Sequence, residues 1–257
     1  MNHSTRESSG SSRSRKLLSI LGVIMCLSLI AAITPAQAAT IDTLFNTGVD
    51  SAGNLLASGI DPHYTISQIY YAPYNFYDPM VPPASSGTYV NSTVPAYMAN
   101  PGWAWVPSGP NSSWISYASN GYGSSMFNTG VYFYQTTFDL TGLDPASVQN
   151  SGLWGTDDPG WMYLNLADTN VPDINNLVVY GGGFSVLDPF SISGSNGLFR
   201  QGLNTLTFVV WDAGNAITGL RMDIASATAN AVPEPGTLML LGSGLLGLLF
   251  YKRSSVK

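Results

Sequence analysis

The chain has 257 residues, 45% of them hydrophobic and 9% charged, with a formal net charge of −6. The charge is unevenly placed, because residues 39–231 contain thirteen Asp, no Glu, no Lys and two Arg, a net charge of −11. Nucleic-acid binding depends on Lys and Arg that neutralise phosphates, so this composition argues against a nucleic-acid partner. Gly, Ser, Asn, Thr, Tyr and Pro dominate the same stretch and helix formers are scarce, which favours an all-β fold.

Residues 1–38 have the layout of a secretory signal peptide. Basic side chains precede an apolar stretch and a small-residue cleavage site: Arg13, Arg15, Lys16, then Leu17–Ile33, then Ala36-Gln37-Ala38. We predict cleavage after Ala38, with Ala36 and Ala38 as the recognised small residues, and export by the general secretion route. That cleavage removes Cys26, the only cysteine, so the mature chain is expected to contain no disulfide.

Residues 39–230 are predicted to form one antiparallel β-sandwich or jelly roll. Short runs of alternating apolar and polar residues are separated by turn residues, and no amphipathic helix is evident. The run that starts at Gly130 is apolar on both faces at its beginning, and Gly155–Gly160 and Gly202–Thr205 are predicted turns. The clearest strand-like runs are Thr65–Tyr70, Gly130–Leu140, Trp161–Leu166, Leu177–Tyr180, Leu206–Trp211 and Gly219–Ile224.

Part of this domain resembles the galactose-binding-like jelly rolls. The likeness lies in an aromatic strand, a Trp-x-x-Asp-Asp turn, a Leu-Asn strand and a Gly-x-Asn hairpin: Tyr132–Leu140, Gly152–Asp158, Tyr163–Asn165 and Gly202–Val210. The chain departs from the family pattern after Asn165, where Leu166-Ala167-Asp168 stands in place of the usual glycine turn. The resemblance implies a sandwich with binding loops at one end, and many members bind sugars, although fold alone does not set function.

Aromatic residues on two loop-like stretches are the candidate ligand-binding residues. They are Tyr71, Tyr74, Tyr77, Trp103 and Trp105, in surroundings rich in Pro and Asn. Aromatic rings can cover the apolar C–H faces of sugars while nearby polar groups bind the hydroxyls. Packing inside the sandwich is the competing interpretation, and both stay open.

The turn Asp157-Asp158-Pro159-Gly160 is the candidate metal site. Two adjacent carboxylates in a turn with many carbonyl oxygens suit calcium, which takes several oxygen ligands at once. The alternative is that Asp157 and Asp158 serve only as turn formers. Calcium is therefore the one cofactor that the sequence suggests.

No catalytic residue is predicted. Residues 39–231 hold one histidine, His63, with neither Cys nor Lys, and no Gly-x-Ser-x-Gly elbow presents a serine. Glycosidases use a pair of carboxylates, and the complete lack of Glu in this stretch makes that chemistry less favoured. We predict a protein that is not an enzyme, with an Asp-based hydrolase as the remaining catalytic alternative.

Residues 231–257 have the layout of a membrane-sorting segment. A Pro-Glu-Pro motif precedes an uncharged apolar run and a basic pair: Val232-Pro233-Glu234-Pro235, then Gly236–Tyr251, then Lys252-Arg253. A transmembrane helix needs about 20 residues, so this run can cross if its ends lie at the interface. The basic pair predicts that this end stays cytoplasmic and that the preceding domain lies outside.

This order of motif, apolar run and basic tail resembles the PEP-CTERM sorting signal of Gram-negative bacteria. The resemblance implies processing by an exosortase-type membrane enzyme, an inner-membrane intermediate held by the C-terminal helix, and delivery to the cell surface or extracellular matrix. PEP-CTERM systems tend to accompany exopolysaccharide, so a surface protein that binds carbohydrate is the favoured function. A structural or adhesive surface protein without a small ligand is the alternative.

Overall fold

A computed structural model describes residues 37–70, 89–100, 102, 104–122, 130–166, 173–212, 217–232 and 242–244. Most of them belong to one compact unit, Ala38–Ala231. A second unit comprises Met1–Gln37 and Val232–Lys257, of which Gln37, Val232 and the helical residues 242–244 are described.

Strands make up the regular structure of the compact unit, which confirms the all-β prediction. The strands in the described part of the chain are β1 (Ala38–Thr40), β2 (Ile60–Tyr70), β3 (Tyr89–Met98), β4 (Ile115–Ser116), β5 (Gly130–Asp139), β6 (Gln149–Asp157), β7 (Gly160–Leu164), β8 (Leu177–Gly181), β9 (Asp188–Ser193), β10 (Leu203–Asp212) and β11 (Gly219–Asn230). Short 3₁₀ helices at Pro145–Ser147, Ile174–Asn176 and Gly194–Asn196 lie in the connections. Each begins after an Asp or Ser whose side chain accepts a hydrogen bond from a backbone N–H two residues later.

The described strands join into one antiparallel sheet in the order β8-β7-β10-β5-β2-β3-β4-β11-β6-β9, with β1 paired to β11. The sheet folds over until its two halves face each other across a shared core of apolar side chains. Trp154 of β6 and Phe208 of β10 meet in that core, with ring centroids 6.3 Å apart. An antiparallel, nearly closed sandwich is therefore confirmed, and the finer resemblance to galactose-binding-like jelly rolls stays a prediction.

The strand β5 shows how alternation builds two apolar layers. Tyr132 and Tyr134 point into the shared core, whereas Val131 and Phe133 belong to a second buried cluster. Because neighbouring residues of a strand point to opposite faces, the second cluster lies on the other side of the sheet. This arrangement matches the prediction that the run from Gly130 is apolar on both faces at its start.

Two predicted turns are shorter than expected. β6 continues to Asp157, so only Asp158 and Pro159 separate it from β7. β10 already begins at Leu203, because the neighbouring β5 supplies a partner, Asp139, for that residue. Distant strand partners thus extend both strands beyond what the turn residues indicate.

Three strands lack a clear sequence signal because Pro or Gly interrupts their alternation. β3 contains Pro95, β6 contains Gly152 and Gly155, and β9 contains Pro189. Pro and Gly lower the strand propensity of a segment considered alone. Pairing with neighbours on both sides holds β3 and β6 in the sheet nonetheless.

Candidate functional site

The acidic turn between β6 and β7 is held against β10. The backbone N–H of Asp158 donates to the carbonyl of Trp211 over 2.8 Å, and the N–H of Trp211 donates to the carbonyl of Pro159 over 3.2 Å. The peptide bond between Asp157 and Asp158 is cis. Thr218 adds a bond from its hydroxyl to the carbonyl of Asp157 over 3.0 Å. The turn is therefore fixed by β10 and by the residue that precedes β11.

Trp105 connects this turn to the preceding loop. Its indole Nε1 donates to Oδ2 of Asp157 over 3.0 Å, and its ring lies 4.3 Å from the ring of Trp114. A side chain at Gly219 would come within 2.6 Å of the Trp105 ring, so the close approach requires glycine there. Trp105 is only 5% exposed, which leaves little of its ring for a ligand to cover. Its proposed ligand contact stays a prediction, and its observed role is to join the turn to the loop.

The pKa of the Asp157 carboxyl is raised to about 7, mainly by burial. The negative charges of Asp158 and Asp212 contribute to this increase in pKa, and the hydrogen bond from Trp105 acts in the opposite direction. Asp212 itself is buried, at the end of β10. A carboxyl with this pKa carries a proton in a large fraction of molecules near neutral pH.

The described residues do not complete a metal site. Among them, no group of three or more His, Cys, Asp or Glu side chains is arranged to hold an ion. One oxygen of Asp157 accepts the hydrogen bond from Trp105, so calcium would compete with that indole N–H for the oxygen. Calcium at Asp157 and Asp158 stays a prediction, and backbone carbonyls would have to supply much of its coordination.

A cleft of about 710 Å³ lies between residues 55–59 and residues 98–100, 102 and 105–108. We call it the neutral cleft, because none of the described residues that line it carries a charge. Its lining mixes apolar and hydroxyl or amide side chains, the main ones being Leu55, Met98, Trp105, Trp114, Ser58, Asn100, Ser108 and Ser119. Trp105 therefore lies between two features, since it lines the cleft and also bonds to the acidic turn.

Arg221 of β11 holds one wall of the neutral cleft in place. Its guanidinium donates to the carbonyl of Pro107 and to the hydroxyl of Ser112, and lies 3.7 Å from a carboxylate oxygen of Asp223. The side chain is buried, and Gly109 passes so close that any Cβ there would meet the guanidinium. Arg221 thus positions the loop that carries Pro107 and Ser108 into the cleft lining.

Four of the five aromatic candidates, Tyr71, Tyr74, Tyr77 and Trp103, lie outside the described residues. The strand ends that flank the first three are described. Tyr70 pairs with both Tyr89 and Val131, beside the pair formed by Gly130 and Asp212. The acidic turn leads into Gly160, which pairs with Val210 of the same β10. Strand ends that are far apart in the sequence therefore lie together at one end of the sheet.

His63 has a packing role in the structure. Its ring stacks on Phe45 with centroids 3.7 Å apart and planes 7° from parallel. Its Nε2 lies 3.1 Å from the carbonyl oxygen of Asp50. These contacts give the only histidine of residues 39–231 a structural role.

The targeting residues lie mostly beyond what the structure describes. Ala36 and most of the sorting segment (Pro233, Glu234, Pro235, Lys252 and Arg253) are outside the described residues. Ala38 is the first residue of β1, and Val232 is exposed just after the last residue of the compact unit. No helix within the described residues has the length and apolar character to cross a membrane.

Sequence reasoning missed Arg221, Asp212 and the neutral cleft. Arg221 does carry a signal, since it is one of two basic residues between residues 39 and 231 and stands within a strand. A lone arginine in an apolar strand indicates a buried, fully bonded cation. Asp212 and the cleft carry no comparable signal, because their surroundings come from distant parts of the chain.

Comparison with known proteins gives one specific match. Residues 231–254 match the family model of the PEP-CTERM protein-sorting motif, and no curated protein matches the chain. A cyclase from Fischerella sp. TAU, solved with 4-(1H-indol-3-yl)butan-2-one, is 15% identical over 71% of this chain and 98% of its own, with a TM-score of 0.27. A Stig cyclase, Fisc, from Fischerella sp. TAU, solved with (3Z)-3-(1-methyl-2-pyrrolidinylidene)-3H-indole, is 18% identical over 76% of this chain and 100% of its own, with a TM-score of 0.26.

The two cyclase likenesses are too distant to support any argument about this protein. The motif match has a clear meaning, because it covers the motif, the apolar run and the basic pair found in the sequence. It indicates that this chain carries a sorting signal for exosortase, a membrane enzyme, and is exported to the cell surface through a membrane-anchored intermediate.

Proposed function

We propose that this exported surface protein binds a neutral carbohydrate, of the kind found in exopolysaccharide, in the neutral cleft, without catalysing a reaction. The observation that carries the proposal is the charge of the site. The domain bears a net charge of −11, yet no described residue that lines the cleft is charged. A neutral polyhydroxyl ligand suits such a surface, whereas an anionic polymer would be repelled by the surrounding aspartates.

The shape and lining of the cleft support a sugar ligand. A volume of about 710 Å³ lies in the range of small-molecule sites, roughly 300–1,000 Å³. Leu55 and Met98 offer apolar surface for C–H groups, and Ser58, Asn100 and Ser108 offer hydrogen bonds for hydroxyls. Mixed apolar and uncharged polar surface of this kind suits a neutral polyhydroxyl ligand.

The two tryptophans that line the cleft are held by hydrogen bonds and by each other, which favours a preformed site. Trp105 is fixed by Asp157 and Trp114, and the indole Nε1 of Trp114 donates to the carbonyl of Val106 over 2.8 Å. Arg221 fixes the adjoining wall through Pro107. A preformed site loses less conformational freedom when a ligand binds.

A titration of the full chain in detergent against purified exopolysaccharide and a panel of neutral and anionic glycans tests the proposal. We expect saturable binding of neutral glycans, lost in Ser58→Trp because the indole fills the cleft, and kept in Ser195→Trp, an exposed position outside the cleft lining. Equal binding by both variants would place the ligand elsewhere. No binding by the wild type, together with self-association, would favour the structural or adhesive alternative.

The same titration, repeated with EDTA, tests the calcium hypothesis. If calcium at the acidic turn supports the site, EDTA weakens binding, and Asp157→Asn with Asp158→Asn makes binding insensitive to EDTA. If EDTA has no effect on the wild type, calcium has no part in binding.

A further inference from the structure

A second cavity lies beside β11 and shares no lining residue with the neutral cleft. Its volume is about 420 Å³, and its lining comes from residues 40–42, 44–46, 49, 53 and 224–228. We call it the Asp42 groove, because Asp42 is the only charged residue among the described residues that line it. All of these residues follow the predicted signal cleavage after Ala38, so that cleavage removes none of the lining.

The groove forms where the chain turns away from β11 between two points of attachment. The N–H of Ile41 donates to the carbonyl of Ala227 over 2.9 Å, and Oδ1 of Asn46 accepts from the N–H of Ile224 over 2.6 Å. Between these two bonds the register of β11 against β6 skips Ala225. A residue skipped in this way is left unpaired in the ladder, so the groove runs past a stretch of strand whose pairing is incomplete.

Asp42 is the one aspartate in the described part of the chain whose carboxylate has no partner there. Its side chain is exposed and takes part in no hydrogen bond or ion pair with another described residue. Every other described aspartate has a hydrogen bond or an electrostatic partner. Because no Lys, Arg or His is among the described lining residues, the carboxylate of Asp42 is open to a cation from solution.

Hydroxyl groups and one aromatic ring surround this carboxylate. Thr40 and Ser226 are exposed and Thr228 is half-buried, and none of the three hydroxyls has a hydrogen-bond partner among the described residues. Phe45 is half-buried, and its ring is held by stacking on His63 with centroids 3.7 Å apart. Hydroxyls bind polar groups of a ligand, and an aromatic ring covers C–H groups or attracts a cation.

We propose that the Asp42 groove binds an amino sugar, with the carboxylate of Asp42 accepting hydrogen bonds from the sugar's ammonium group. The Phe45 ring then covers the C–H face of the sugar, and the hydroxyls of Thr40 and Ser226 bind the sugar hydroxyls. The net charge of −11 on the domain raises the local concentration of cations, and a charge-assisted hydrogen bond is stronger than a neutral one. A lysine side chain carries the same ammonium on a hydrocarbon stem, which this hydroxyl-rich surface fits less well.

Calorimetric titration of the full chain in detergent with a glucosamine trimer and with its N-acetylated counterpart tests the proposal. Every protein in this experiment carries Ser58→Trp, which fills the neutral cleft, so the outcome does not depend on binding there. At about pH 6 the amine is protonated, and acetylation removes its charge while keeping the ring. We expect saturable binding of the glucosamine trimer, and binding of the acetylated trimer that is weaker by about tenfold or more.

Two variants with matched controls test the residues. Asp42→Asn should weaken binding of the glucosamine trimer by about tenfold or more, because it removes the counter-charge. Asp139→Asn removes the same charge from an exposed position outside the groove and should change the Kd by about twofold or less. Ser226→Trp should abolish binding because the indole fills the groove, whereas Ser195→Trp, at an exposed position outside it, should not.

Equal losses of affinity in Asp42→Asn and Asp139→Asn would show only a general attraction to a negative domain and would overturn the proposal. Equal affinity for the two trimers would overturn it as well, and so would a folded protein that does not bind the glucosamine trimer. If a trilysine peptide binds more tightly than the trimer and depends on Asp42, the groove serves a protein partner and the assignment to a sugar is wrong.

Discussion

Asp157 is the residue that couples this domain most directly to pH. In the unfolded chain an Asp pKa is about 3.9, whereas burial beside Asp158 and Asp212 raises the pKa of Asp157 to about 7. The protonated form is therefore favoured by folding, and the stability it contributes is complete below pH 4 and is lost as the pH rises through 7. Ionisation of a buried acid of this kind therefore lowers the free energy of unfolding of the domain.

We predict that Asp157→Asn removes the loss of stability with rising pH, because the amide is always neutral and still accepts the hydrogen bond from Trp105. The melting temperature of the variant, relative to wild type, should rise between about pH 4 and pH 8. Asp139→Asn is the control, because hydrogen bonds from Thr141 lower the pKa of Asp139 and confine its effect to acid pH. A difference in melting temperature between Asp157→Asn and wild type that stays constant with pH would contradict the raised pKa of Asp157.

Two buried asparagines allow a matched test of hydrogen bonding. Asn150 is buried in β6, and neither atom of its amide group has a hydrogen-bond partner among the described residues. Asn204 is buried in β10, and its amide group bonds to Arg200, Gly202 and Asn165. The two residues share chemistry and burial and differ in whether their polar atoms are satisfied.

We predict that Asn150→Leu raises the free energy of unfolding by about 1–3 kcal/mol, because it removes unpaired buried polar atoms. Asn204→Leu should lower it by about 1–3 kcal/mol, since its former partners are then left unpaired. Denaturant unfolding measures both values. Destabilisation by both changes to the same extent would show that Asn150 is satisfied in solution.

At the scale of elements, the loop that carries residues 107–113 depends on β11. Arg221 supplies that connection, bonding to Pro107 and Ser112 from a buried position. Truncating one member of a buried, hydrogen-bonded ion pair typically costs about 3–5 kcal/mol, because the remaining charge is left buried without its partner. Loss of the Arg221 side chain should therefore destabilise both the loop and the cleft wall that the loop forms.

We predict that Arg221→Met lowers the free energy of unfolding by about 3 kcal/mol, measured by denaturant titration. Arg200→Met is the matched control. Its guanidinium is exposed and bonds to the carbonyl of Leu203, so we expect a change of about 0.5 kcal/mol or less. Equal effects of the two changes would mean that Arg221 does not hold the loop.

For the whole molecule, net charge is the dominant electrostatic property. Residues 39–231 carry a net charge of −11, and like charges on one domain repel each other. Screening by salt weakens that repulsion, since the Debye length falls from about 30 Å at 0.01 M to about 8 Å at 0.15 M.

We therefore predict that the melting temperature rises when sodium chloride increases from about 10 mM to about 150 mM. Choline chloride at matched ionic strength controls for specific binding of sodium. A melting temperature that falls with either salt would show that attractive contacts outweigh the repulsion.

The strands that the sequence predicts show their alternation of apolar and polar residues within one segment, and the strands that it does not predict lack that local pattern. The alternation from Gly130 and from Leu206 is visible within each segment and predicts β5 and most of β10. β3, β6 and β9 depend on partners elsewhere in the sheet, because Pro or Gly weakens them individually. The candidate site divides in the same way, since the acidic turn was found and Arg221 and Asp212 were not.

The sequence by itself determined the class of fold, the sorting signal and the negative charge of the domain, because alternation, apolar length and charge are properties of contiguous residues. Only the tertiary structure decided that Trp105 is buried against Asp157, that the pKa of this carboxyl is about 7, and that an uncharged cleft lies beside them. The partners in that bond are 52 residues apart in the chain. Burial and local field depend on neighbours that folding brings together, and no local pattern encodes them.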